Sequence, residues 1–221
     1  MTALALSPSK VDRNLVEAFA IATTFTTISY LIGFFFGFTI GVNWLEAFAV
    51  FTSYGSTYLF VVQRRMCYVW GMISTAAYAL LFWQFGLLAS MVLNLYLVPT
   101  LVYGWFRWGR DEVTRPVKRL PLKLYPVYIL VTAAVFAGAY FIMAALGAPI
   151  LWTDGMILVL TILAQFLLDN KRPETWAVWA MVNVFAIYTY FTGGLFLAGV
   201  QYILFLINTG YGAYMWYKDS K

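Results

Sequence analysis

The positive charges of this chain alternate with its apolar runs. About eight apolar stretches are each long enough to cross a bilayer, whose hydrocarbon core takes roughly 20 helical residues. Lys and Arg stand before the first stretch (Lys10, Arg13) and after the second (Arg64, Arg65). They recur between the fourth and fifth (Arg107, Arg110, Arg115, Lys118, Arg119, Lys123), after the sixth (Lys171, Arg172) and after the eighth (Lys218, Lys221). The alternate connections, near 39–44, 84–87, 146–152 and 191–195, hold none. Positive loops stay cytoplasmic. A missed or invented span would scramble this alternation, so the pattern checks the span count and predicts both termini inside.

Composition agrees. The 221 residues are 63% hydrophobic and 10% charged, against about 25% charged in a soluble domain. The expected class is an all-α membrane protein with almost no extramembrane domain. A membrane β-barrel would show short alternating segments, and these runs do not alternate. The net charge of +5 lies in the cytoplasmic loops and is no nucleic-acid signal. The single Cys67 cannot form an internal disulfide. The first apolar run, about 18–42, exceeds the roughly 7–15 residues of a signal-peptide core, so it reads as a retained helix.

The spacing predicts helices near 17–38, 45–63, 66–84, 87–106, 124–146, 152–169, 174–191 and 195–216. The longest connection, 107–123, carries Pro116, Pro121 and a basic run, and it divides the chain. The halves match at an offset of 108 positions. Trp44 falls on Trp152, Glu46 on Asp154, Arg64 on Arg172 and Gly86-Leu87 on Gly194-Leu195. Tyr103-Gly104 falls on Tyr211-Gly212, Trp108 on Trp216, and Asp111 on Asp219. The expected organisation is a tail and extra helix (1–43), a three-helix repeat (44–111), a basic loop and linker helix (112–151), and a second three-helix repeat (152–218). A single linker span puts both repeats into the membrane the same way round, as in SWEET-type transporters.

The chain has no His, and no Lys or Arg falls inside a span. Glu46, Asp154, Asp169 and Glu174 fall near span ends. Ion-driven carriers place ionisable groups along their pathway, so uncoupled passage of solute fits better. Enzymes need acid–base groups. Without a nucleophile–base pair, metal cluster or phosphate loop, neither catalysis nor a cofactor or metal is expected.

What remains inside the spans is neutral and polar. Asp154, Thr161 and Gln165 share a helical face. So do Trp176, Trp179 and Asn183, and again Gln201 and Asn208. Asn94, Gln165, Asn183, Gln201 and Tyr202 are expected to line one central pocket, with Trp176 or Trp179 as an aromatic wall. The alternative is structural: Asn and Gln also bond helix to helix, and Ser53, Ser56, Thr57 and Ser90 pack or bond their own backbone. Trp44, Trp108, Trp152 and Trp216 read as interfacial belt residues. Gly104 and Gly212 read as points of close helix approach.

The C-terminal half carries a resemblance. Lys171-Arg172-Pro173-Glu174-Thr175-Trp176 leads into Trp176-x-x-Trp179-x-x-x-Asn183, followed by Gly194-Leu195, Gln201-Tyr202, Asn208, Gly212 and Trp216. Gly86-Leu87, Asn94 and Tyr103-Gly104-Trp105 correspond in the first half. Over about 44–218 the chain resembles the PnuC family of bacterial nicotinamide riboside transporters. The resemblance implies import of that vitamin B3 nucleoside across the bacterial inner membrane by facilitated diffusion, with cytoplasmic phosphorylation trapping it. It also implies a SWEET-like three-plus-one-plus-three bundle. Relatives that carry thiamine or riboflavin keep other vitamins open as substrates. A sugar facilitator and a non-transporting membrane subunit are the competing readings. The expected partners are the solute and the lipid bilayer, with a homo-oligomer left open and no nucleic acid.

Overall fold

The computed structural model describes residues 8–38, 41–84, 88–109, 116–145, 152–192 and 196–220. The helices are α1 Pro8–Phe35, α2 Trp44–Val61, α3 Met66–Gln84, α4 Leu88–Trp108, α5 Tyr125–Ala145, α6 Trp152–Asp169, α7 Thr175–Thr192 and α8 Phe196–Asp219. No strand occurs among the described residues. Gly86-Leu87, Asp111 and Gly194-Leu195 lie outside them, as do the side chains of Ser90 and Asp154.

Local chemistry sets the helix ends. α1 begins more than two turns before the expected residue 17. Pro8 suits a first helical position, where its missing N–H costs nothing. Arg13 and Glu17 then pair one turn apart at 2.9 Å. Glu17 also accepts the Tyr58 hydroxyl at 2.5 Å, tying α1 to α2. Asn43 caps α2: its Oδ1 accepts from the amides of Leu45 (3.0 Å) and Glu46 (3.2 Å).

The C-terminal ends of α2 and α6 share one device. The Arg64 amide reaches back to the Leu59 carbonyl and that of Gln63 to Phe60; Arg172 reaches Leu167 and Lys171 reaches Leu168. This is the Schellman arrangement, which needs a left-handed residue after the cap. Gln63 (φ 56°) and Lys171 (φ 49°) supply it. Those residues are 108 positions apart, as are the starts of α2 and α6.

α3 packs between α2 and α4, and α7 packs between α6 and α8. The triplets meet where α2 touches α8 and where α4 touches α6, closing six helices into a ring. α1 lies outside against α2 and α8, and α5 lies against α6. Much of the exterior is apolar: Ile129, Leu130, Val131 and Phe141 of α5 are exposed. Among the described residues, Arg13–Phe35 and Met66–Gln84 are long and apolar enough to cross a membrane by length and composition. Leu122–Gly138 and Gly155–Asp169 are shorter apolar stretches.

Segment 116–124 is strapped across the α6–α7 turn. Val117 and Leu120 are buried. Arg172 donates to the carbonyls of Lys118 and Arg119, both at 3.1 Å. Glu174 Oε1 accepts the Leu120 amide (2.9 Å) and the Tyr125 hydroxyl (3.1 Å). We refer to this end of the bundle, which also holds Arg64 and Lys171, as the basic end.

Candidate functional site

At the basic end the ring is filled with aromatic side chains. Tyr68 meets Trp108 edge to face at 5.1 Å, Trp176 meets Trp216 likewise at 5.5 Å, and Trp108 lies 6.1 Å from Trp216. The Trp216 indole N–H donates to the carbonyls of Phe60 (3.2 Å) and Val61 (3.0 Å). Trp108 and Trp216 are therefore core residues, 1% and 0% exposed, which corrects their reading as belt residues. A helix end exposes some faces to lipid and turns others inward, and position along the helix does not distinguish them. Trp44 and Trp152, by contrast, are exposed.

The glycines behave as expected. A Cβ at Gly104 would overlap the Tyr68 ring, and one at Gly212 would overlap Trp176. Tyr68 donates to Asp169 Oδ1 at 2.8 Å, across the two triplets. Lys171 sits over the Trp108 ring at 4.4 Å and is fully buried.

The polar residues singled out in the sequence occupy several contacts. Gln165 donates to Asp169 at 2.9 Å and borders a cleft of about 310 Å³ between α4 and α6, shared with Tyr96, Thr100 and Tyr103. Asn183 Nδ2 donates to Thr209 Oγ1 at 3.0 Å, joining α7 to α8 with both side chains buried. Gln201 Nε2 donates to the Tyr78 hydroxyl at 2.6 Å, joining α8 to α3. Tyr202 packs against Tyr190 at 5.2 Å and Phe205 at 5.6 Å. Trp176 is buried in the aromatic layer, whereas Trp179 and Asn94 are half-buried. Ser56 is structural: its hydroxyl donates to the Cys67 carbonyl at 2.8 Å.

A cluster towards the opposite end joins Gln201 and Tyr202 to tyrosines that the sequence reading did not name. Tyr54 lies 5.0 Å from Phe205 and shares a 3.0 Å hydrogen bond with Ser29. Tyr78 is bonded to Gln201 and stacks on Phe82, and Tyr190 packs on Tyr202. Tyr54, Tyr78 and Tyr190 with Gln201 and Tyr202 make a tyrosine-rich, neutral lining drawn from α2, α3, α7 and α8. Tyr78 was legible in principle: Gly71, Ser74 and Tyr78 share a helical face, but Tyr counted as apolar in the pattern. Among the described residues the indole N–H of Trp176 and the Asn208 amide nitrogen are buried without a hydrogen-bond partner. Such groups cost free energy unless something satisfies them. No three His, Cys, Asp or Glu side chains come together among the described residues.

A family model described as nicotinamide mononucleotide transporter matches residues 43–218. Similar relatives include the nicotinamide riboside transporter PnuC of Escherichia coli K12. It is 23% identical over 213 residues, covering 81% of this chain and 87% of the relative. The protein of the same name from Neisseria mucosa is 30% identical over 196 residues, covering 81% and 74%. The structure matches a crystal structure of the vitamin B3 transporter PnuC with a TM-score of 0.77 and 22% identity, over 98% of this chain and 97% of that one. At that identity the match establishes the fold.

Proposed function

We infer the activity from one premise: the chain belongs to the nicotinamide mononucleotide transporter family, a family of transporters and not of enzymes. We propose that it imports nicotinamide riboside across the bacterial inner membrane by facilitated diffusion, and that phosphorylation in the cytoplasm traps the product. The basic end is then cytoplasmic, as are both termini. The bundle is read as a SWEET-like three-plus-one-plus-three arrangement of parallel repeats (44–111 and 152–218) joined by a linker helix, with α1 extra. The repeat reading is supported by residues 108 apart that take equivalent roles: Gln63 and Lys171, Tyr68 and Trp176, Gly104 and Gly212, Trp108 and Trp216.

The observation that carries the substrate reading is the Gln201–Tyr78 bond between the triplets, set among tyrosines. Nicotinamide riboside offers a cationic pyridinium, a carboxamide and ribose hydroxyls. Aromatic faces attract the cation, worth about 0.5–2 kcal/mol. Asn and Gln supply both donor and acceptor to the amide and hydroxyls. We assign Asn94, Gln165, Trp176, Trp179, Asn183, Gln201 and Tyr202 to the substrate path, with Tyr78 added. A phosphorylated solute is disfavoured by this lining, because the basic side chains sit at the helix ends.

Two measurements test this. Purified protein should bind nicotinamide riboside in preference to the mononucleotide, thiamine and riboflavin. Liposomes holding the protein should take it up with no sodium or proton gradient, and accumulation above equilibrium without an internal kinase would overturn the facilitator mechanism.

A further inference from the structure

Glu46 is a carboxylate that the transport reading leaves unused. It is the third residue of α2, half-buried, and it lies two turns before Tyr54 of the tyrosine cluster on the same helical face. Its structural explanation is the helix start. An acidic side chain there is favoured by the helix dipole, and Asn43 three residues earlier is the cap. Yet the Asn43 side chain already satisfies the first amides, and Glu46 turns towards α1. There Tyr30 offers one proton to two acceptors, the Asn43 carbonyl at 3.2 Å and Glu46 Oε2 at 3.5 Å. Among the described residues the carboxylate accepts no other hydrogen bond and meets no Lys or Arg within ion-pair distance. A half-buried carboxylate with lone pairs to spare and no paired cation favours a positive charge brought near it.

Resting on the transport reading above, we infer that Glu46 is a specificity-determining residue, whose carboxylate at the edge of the tyrosine cluster selects a cationic ring over a neutral ring of the same shape. The tyrosine faces stack on either form. Cation–π attraction already favours the charged ring, and the carboxylate adds a full opposite charge to that preference. The position 108 later is Asp154, so the second triplet places an acidic residue at the same point of α6.

The test compares two ligands that differ in ring charge. Nicotinamide riboside is cationic, and its 1,4-dihydro form is neutral with the same carboxamide and ribose. Binding of each to the purified full-length chain is measured by calorimetry for wild type, Glu46→Gln, Glu46→Ala and Glu46→Asp. Wild type should prefer the cation. Glu46→Gln and Glu46→Ala should each bind the cation about tenfold more weakly and the neutral form as before, while Glu46→Asp keeps the preference. A capping role alone would lower the melting temperature without changing the ligand ratio. Wild type binding both forms equally, or a folded Glu46→Gln or Glu46→Ala variant keeping the whole wild-type cation preference, overturns the inference and leaves the transport reading standing. Wild type binding neither form overturns the transport reading, and this inference with it.

Discussion

The two ends of the helix ring solve different problems. At the basic end the triplets are near copies. Tyr68 corresponds to Trp176, each seated over a glycine, Gly104 or Gly212, and Trp108 corresponds to Trp216. Even a helix-to-helix hydrogen bond recurs with its donor moved. Ser56 on α2 donates to the Cys67 carbonyl on α3 (2.8 Å), whereas Thr175 on α7 donates to the Ala164 carbonyl on α6 (2.7 Å). Further along the helices the correspondence fails. Tyr78 stands opposite Ala186 in the alignment, Leu93 opposite Gln201, Thr75 opposite Asn183 and Leu101 opposite Thr209. Packing two similar triplets against each other rewards equivalent side chains. The solute proposed above, a nucleoside, has no two-fold axis, so a site that fits it needs different groups from each triplet. On the proposed repeat, the contrast teaches where to look for ligand contacts: where the two triplets stop corresponding.

The strongest way to break this comparison is at the glycines. Gly104→Leu and Gly212→Leu drive a side chain into Tyr68 and Trp176. Each is expected to cost about 3 kcal/mol by overpacking, seen as a lower melting temperature and loss of the monodisperse peak in gel filtration. Similar losses at both sites would sharpen the equivalence, and a tolerated substitution at one would break it.

Next comes the asymmetric half. Gln201→Ala and Tyr78→Phe each remove one side of the 2.6 Å bond. A lost bond that strands a partner costs roughly 1–3 kcal/mol, or about 5- to 150-fold in affinity for nicotinamide riboside. Calorimetry on folded variants decides it. Wild-type affinity in Gln201→Ala and Asn183→Ala together would reassign these side chains to helix packing.

The displaced hydrogen bond gives a smaller effect. Ser56→Ala and Thr175→Val should each lower stability by about 1 kcal/mol and leave affinity unchanged. The two should add in the double variant, since they share no partner. Strong non-additivity would mean the triplets do not pack independently here.

The smallest effect separates the two left-handed residues. Gln63→Gly should be neutral or stabilising by up to about 1 kcal/mol, because glycine adopts that conformation without the Cβ penalty. Lys171→Gly should be destabilising, since it also removes the charge lying over Trp108. Equal responses would show that the buried lysine contributes no more than the half-buried glutamine, which donates to Asp219 at 2.9 Å.

Much of this was legible in the chain. Apolar run length, the placement of Lys and Arg, and the 108-residue offset were properties of sequence alone. So were the glycines at 104 and 212, because helix ends and close approaches are set by local chemistry. The offset returned in the helix boundaries, with α2 at Trp44 and α6 at Trp152. The start of α1 was missed because the apolar run begins later than the helix, and the turns before it are held by Pro8 and the Arg13–Glu17 pair.

Only the tertiary structure decided which partner each face meets. Helical spacing gathers Asn183 and Trp176 onto one face, but it cannot say that Asn183 bonds Thr209 while Trp176 packs on Trp216. It cannot turn Trp108 and Trp216 inward when Trp44 and Trp152 point out. It cannot bring Tyr68 to Asp169, 101 residues away, or Tyr78 to Gln201, 123 residues away. The period of a helix fixes the direction of a side chain relative to its own axis, and the packing of distant helices fixes what lies in that direction.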